Sequence, residues 1–303
     1  MTSELLKNKY VYHYTSINTL LAILHTYKHR KEREKNYLTF HASNIFKVND
    51  PKEMEAGFQA LKRFLPQYEE LLQIPPNQRL SQVFQTNELE KKCRDEFIKR
   101  DIIDCGTVPF VVSFSAKRDY LPMWSLYGNQ GKGICFKFNV YELISDLPNS
   151  CQIGFVSYGK ELSKEVKNET LQDIYNSYLN STSNRELSSS DIISELATLC
   201  LSLAPFHKYK DYKYEKEFRM VSYQYYGLDL KEIAGKDDLN IINKKFIIDP
   251  YIKVSIPTNS LKEIIIGPDA NYEIICPIIK RILNDTRLPV QISKSKIPFR
   301  INK

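Results

Sequence analysis

Glu215, Glu217 and Arg219, at alternate positions of the segment YEKEFRMVSY, are the residues of this chain most suited by type and spacing to do chemistry. If that segment is extended from Glu215 to Tyr223, period-2 alternation puts all three on one face. A carboxylate pair beside a guanidinium suits a site that handles developing charge. The same pattern also describes a solvated strand face with ion pairs worth little. A second group lies in SFSAKRDYLPMWSLY, where Ser113 and Ser115 flank Phe114 and so face away from it, and where the chain's single Trp, Trp124, precedes Tyr127. A third is YHYTS near the amino end, with His13 between Tyr12 and Tyr14 and Thr15 beside them. Histidine at a strand end is a ligand or catalyst in one reading and a backbone hydrogen-bonding partner in the other. Trp124 suits core packing, whereas the Tyr127 hydroxyl suits a half-exposed cleft.

The elements that must position these groups follow from pattern. Lys9 to Tyr14 alternates as a short strand, and Thr15 or Ser16 caps the apolar-periodic helix SINTLLAILHTY. NYLTFHAS predicts a second strand. In NDPKE, Asp50 as N-cap, Pro51 at the first position and Glu53 at the third predict a helix that Pro66 stops. Strands are expected at 108–115, 134–138, 152–158, 217–223, 245–248, 262–266 and 289–292, with a helical turn at LPMWSLYG and a helix over 271–283. The βαβ cadence of a parallel sheet is missing, which predicts an α+β fold with largely antiparallel sheets. Residues 1–303 read as a single domain with helical insertions at about 66–104 and 160–206.

Composition narrows the function classes. At 42% hydrophobic and 26% charged residues the chain can build an ordinary buried core. Apolar runs such as 108–112 are strand-sized and too short for a membrane span, and MTSELLKNKY lacks a signal-peptide layout, so a cytoplasmic protein is expected. Six scattered cysteines without a C-x-x-C pair argue for reduced thiols and no structural zinc. GxGxxG, P-loop and H-E-x-x-H signatures are absent. A net charge of +7 with 20 Tyr and 15 Phe permits an anionic partner such as nucleic acid, and a plain solvated surface equally well. Mg²⁺ would need Asp50, Glu53, Glu215 and Glu217 to converge, which no spacing requires, so no metal site is expected.

YHYTS, the NDPKE start, SFS…MWSLY with GKGICFKF, YEKEFR, IIIGPDA and SKIPFRI occur in this order along nearly the whole chain. As an ordered set they resemble the bacterial proteins grouped as domain of unknown function 2971. More distantly, a strand with His-Tyr-Thr, then S-x-S, then E-x-E opening a strand is similar to the order of parts in ADP-ribosyltransferases. That resemblance implies a split core of two small sheets gripping NAD as substrate. It implies ribose or phosphate contacts from His13, Tyr14 and Thr15, and support from Ser113 and Ser115. Ring stacking would fall to Tyr127 or Trp124, with Arg219 also facing the dinucleotide. Glu217 would take the late-glutamate role toward the ribose 2′-OH, with Glu215 engaging an acceptor. The function implied is an NAD-dependent effector that modifies a protein or nucleic acid, as a toxin or anti-phage factor, with an antitoxin or defence-system partner. A Mg-dependent nuclease-type effector and a non-catalytic nucleotide- or nucleic-acid-binding module are the alternatives. Against the family pattern, the first anchor here is His rather than Arg, and the stretch between the second and third motifs is long.

Overall fold

The computed structural model describes residues 9–29, 36–48, 52–88, 90–92, 106–145, 147, 151–159, 176, 188–226, 239–244 and 247–299. The strands are β1 (Tyr10–Thr15), β2 (Tyr37–Asn44), β3 (Gly106–Ser115), β4 (Ile134–Asn139), β5 (Cys151–Phe155), β6 (Ser157–Tyr158), β7 (His207–Lys208), β8 (Glu217–Tyr226), β9 (Leu239–Lys244), β10 (Ile247–Pro257), β11 (Leu261–Ile266) and β12 (Gln291–Lys294). The helices are α1 (Ile17–Lys28), α2 (Glu53–Leu71), α3 (Leu121–Leu126), α4 (Val140–Ile144), α5 (Ser189–Leu203) and α6 (Tyr272–Thr286). The fold is α+β. Ten strands form one sheet along the path β12-β11-β4-β1-β3-β2-β10-β9, with β8 and β5 branching from β3. Within it only the β11–β12 pair is parallel among the described strands.

The branch is the feature that matters for function. β8 pairs with β3 along its whole length, from Gly106↔Tyr226 to Ser115↔Glu217. The other edge of β3 is shared: β1 meets it at Ser115, and β2 meets it at Val111 and Phe110. Between those contacts β1 and β2 part, and the sheet forks over Val112–Phe114.

Each face of the sheet has its own core. Alternation sends Phe110, Val112 and Phe114 of β3 and Phe218 and Met220 of β8 into a cluster with Phe40, Phe136 and Phe138. Val111 and Val221 point the other way and pack with Phe58, Leu61 and Leu65 of α2 and Leu196 and Leu199 of α5. Ser16 caps α1 by accepting from Thr19 N–H (3.1 Å). The predicted stop at Pro66 does not occur. α2 runs on to Leu71 because its apolar stripe, Met54, Phe58, Leu61, Leu65 and Tyr68, stays buried across the proline. Burial of that stripe outweighs the hydrogen bond and sterics a proline costs. Residue 52 rather than Asp50 is the N-cap, and 49–51 lie outside the described residues. The strand expected at 245–248 is two strands, β9 and the eleven-residue β10, with 245–246 undescribed. Of the two expected helical insertions, 93–105 and most of 160–187 lie outside the described residues.

Gly133 leads into β4 where β1 ends. A Cβ there would sit 2.2 Å from the Thr15 carbonyl oxygen and 2.7 Å from that of Gly128. Both obstacles are backbone, so Gly133→Ala must push β1 away from β4. A loss of roughly 1–3 kcal/mol in urea unfolding is expected; an unchanged midpoint would contradict this packing.

Candidate functional site

The fork opens into a cavity of about 260 Å³. β1 supplies Tyr12, His13 and Tyr14, β2 supplies His41 and Ser43, and β3 supplies Val111 through Phe114. Its far wall is built by Met123 and Tyr127 around α3, by Lys208, Tyr212 and Glu215, and by Glu217 and Arg219 of β8. His13 and Glu217, 204 positions apart by number, therefore border one space.

The fork explains how His13 arrives there. Its neighbours Tyr12 and Tyr14 lie on the opposite face, while the imidazole packs edge-on against Phe40 and Phe114 and stacks on Phe136. Where β1 peels from β3, the Ser113 carbonyl has no strand partner on that side, and His13 Nδ1 bonds it at 2.8 Å. A carbonyl only accepts, so Nδ1 carries the proton and Nε2 keeps its lone pair. Burial lowers the His13 pKa, partly opposed by this bond, and holds the ring neutral. The Ser113 side chain is exposed on the cavity side.

The acidic end is a buried network of four charged side chains. Arg219 grips Glu217 with two bonds, Nε to Oε1 (2.7 Å) and Nη2 to Oε2 (3.0 Å), and donates from Nη1 to the Pro205 carbonyl. Lys208 Nζ lies 2.9 Å from Glu215 Oε2 and 2.8 Å from Glu217 Oε2, tying the two glutamates together. Tyr127 donates its hydroxyl to Glu215 Oε1 (2.6 Å), and the Glu217 N–H donates to Tyr158 Oη (2.8 Å). All four charged residues are 5% exposed or less, so water does little of the solvating. Burial alone would favour protonated Glu217, but Arg219 and Lys208 outweigh it and hold the carboxyl well below its usual range.

The network is not the flat strand face that alternation predicts. Glu215 closes a 3₁₀ turn, and Lys216 takes a left-handed conformation (φ 46°, ψ 53°) before β8 begins at Glu217. The corner swings Glu215 off the strand, and Lys208 brings its carboxylate back to Glu217. Across β3 and β8, Ser113 is opposite Arg219 and Ser115 opposite Glu217, so the S-x-S and E-x-R patterns interlock.

Several expected site residues serve as scaffold. Ser115 is fully buried, donates to the Glu215 carbonyl (2.5 Å) and accepts from Lys117 N–H (3.0 Å). Trp124 is also fully buried, edge-on to Tyr14, and donates Nε1–H to Asp119 Oδ1 (2.8 Å). Asp119 in turn accepts from Ser295 and from Lys296 N–H. Thr15 lies where β1 pairs with Ile134 of β4 and does not border the cavity. His13, Tyr14, Ser113, Tyr127, Glu215, Glu217 and Arg219 do border it. Lys208 and Tyr212, from the Lys/Tyr-rich approach to Glu215 that the sequence offers for NAD phosphates or a nucleic-acid acceptor, join them, as do His41 and Ser43. Among the described residues no group of three or more His, Cys, Asp or Glu is arranged to hold a metal, and Asp50 lies outside them. Nor is any described helix long and apolar enough to cross a membrane.

No curated protein and no solved structure matches this chain. Residues 123–220, which carry Tyr127, Lys208 and the Glu215–Glu217–Arg219 network but neither His13 nor Ser113, match the family described as a protein of unknown function (DUF2971).

Proposed function

We propose that this chain is an NAD-consuming, ADP-ribosyltransferase-like enzyme whose reaction takes place in the fork of the sheet. The observation that carries the reading is one cavity bordered by a neutral imidazole, a serine hydroxyl and an ionised buried glutamate drawn from three strands. In such a reaction the bond between the ribose anomeric carbon and nicotinamide nitrogen breaks. Its electron pair leaves with neutral nicotinamide, positive charge builds on the ribose, and an acceptor atom bonds that carbon and gives up its proton. A fixed, buried anion stabilises that charge far better than one in water.

Glu217 can supply the anion without being released from its partners. A carboxylate has about four lone-pair positions. Oε2 takes bonds from Arg219 Nη2 and Lys208, whereas Oε1 takes one from Arg219 Nε and keeps capacity for a ribose hydroxyl. His13 Nε2 would accept from a sugar hydroxyl, the Ser113 hydroxyl would donate, and the Tyr127 and Tyr212 rings would flank the nicotinamide. Glu215 would then receive the acceptor's proton. The acceptor is a macromolecule in this reading, and a toxin or anti-phage role with a neutralising partner is the biological setting it suggests.

A non-catalytic nucleotide-binding module is the second reading. It is favoured by the internal neutrality of the network, in which two cations already face two carboxylates. Calorimetry with NAD, together with nicotinamide release in a cell lysate containing labelled NAD, separates the two. Binding with release and label transfer supports the enzyme, binding without release supports the module, and absence of NAD binding removes the enzyme.

A further inference from the structure

We propose that the outer lip of the cavity is a docking surface for single-stranded nucleic acid, the acceptor class for the transfer reaction. The acceptor role rests on the reading above; the docking surface stands apart from it. Segment 207–216 before β8 forms the lip, bordering the cavity through Lys208, Tyr212 and Glu215, and segment 116–120 before α3 is tied beside it, the Ala116 N–H donating to the Lys216 carbonyl (2.8 Å). Lys117, Lys210, Lys213 and Lys216 are exposed there. The acids in the same segments offset little of this charge. Asp119 is bound to Trp124, Ser295 and Lys296, Glu215 is buried against Lys208, and Asp211 is the exposed one.

Aromatic rings alternate with these lysines. Tyr209 is 36% exposed, Tyr212 borders the cavity with Lys208 Nζ 5.2 Å from its ring, and Tyr214 is half-buried between Lys213 and Glu215. Lysines that follow a phosphate backbone, interleaved with rings on which bases can stack, are the physical requirements for binding an unpaired strand. A duplex hides its base faces in the stack and offers the tyrosines nothing. An acidic peptide would satisfy the lysines but leave the rings unused. With a strand on the lip, a base nitrogen or phosphate oxygen would reach the ribose carbon from the Glu215 side.

The test is fluorescence anisotropy of the full chain with a labelled oligothymidylate and with a duplex of equal length. Wild type is compared with Lys210→Glu/Lys213→Glu/Lys216→Glu and with Tyr209→Ala. Single strands should bind more tightly than duplex, and the triple variant should weaken binding by roughly tenfold or more. Removing three lysine contacts should also flatten the salt dependence by about 2 logarithmic units per decade of salt. Tyr209→Ala should weaken binding at unchanged salt slope. No binding in low salt, equal affinity for duplex, or an unaltered triple variant would overturn the surface. Nicotinamide release measured with and without oligonucleotide keeps the claims separate: release without strand binding sinks this inference alone, and strand binding with no release in either condition sinks the transferase and the acceptor role while leaving the docking surface.

Discussion

Glu217→Gln should lower nicotinamide release from NAD by about 10²- to 10³-fold, the usual cost of removing one preorganised charge-stabilising group. The amide keeps the shape of the side chain and an oxygen that can accept from Arg219 Nε, while its NH2 takes the place of Oε2 and gives up the bonds from Arg219 Nη2 and Lys208 Nζ. What disappears is the negative charge, and the four-residue network goes from balanced to one net positive charge. A positive excess next to a ribose that is itself becoming positive opposes the transition state and leaves the ground state much less affected. NAD affinity should therefore change by less than the turnover does. Glu215→Gln is the informative companion. If Glu215 receives the acceptor's proton, its loss should depress label transfer to the acceptor more than nicotinamide release to water. Undiminished release by a folded Glu217→Gln protein would end the enzymatic reading, since no other described carboxylate holds that position in the cavity.

How far the sequence discloses this site depends on whether a residue's place is set locally. β1, β3 and β8 are legible because their alternation is local, and Ser113 opposite Arg219 follows once two strands pair in register. Glu215 is misplaced by the same rule, because alternation assumes an extended backbone and Lys216 adopts φ 46°. Lys208 has no local signature: in HKYKDYKYEK it resembles Lys210, Lys213 and Lys216, which are exposed, and only tertiary packing decides that it is the buried one. Trp124 shows the converse, a conspicuous residue whose rarity says nothing of its role as a buried packing ring. The clean alternation YIKVSI in β10 was a readable strand signal, obscured by Pro250 and Pro257 at its borders. The fork itself is beyond any local pattern, because it arises from two strands competing for one edge of β3.

The second large effect concerns stability. Arg219→Met should cost about 3–5 kcal/mol in urea unfolding, because it leaves Glu217 buried with only part of its compensation. Methionine fills much of the same volume, so the loss reports charge and hydrogen bonds more than a cavity. Adding Glu217→Met to Arg219→Met should restore a large part of the stability, since an apolar pair of similar volume carries no desolvation penalty. With Glu217→Met measured alone, the loss of the double variant minus the two single losses gives the coupling between the sites, expected at roughly 0.5–3 kcal/mol in magnitude for groups in one network. The pH dependence has a fixed sign. Folding lowers the Glu217 pKa, so the unfolded chain binds the extra proton, and the contribution is complete above the ordinary glutamate value of 4.5. It fades as pH falls from there toward the folded-state pKa, and the double variant should show a shallower acid limb over that window. A loss below about 1 kcal/mol for Arg219→Met would place the pair among exposed ion pairs. That result would contradict the burial on which the ionised glutamate depends.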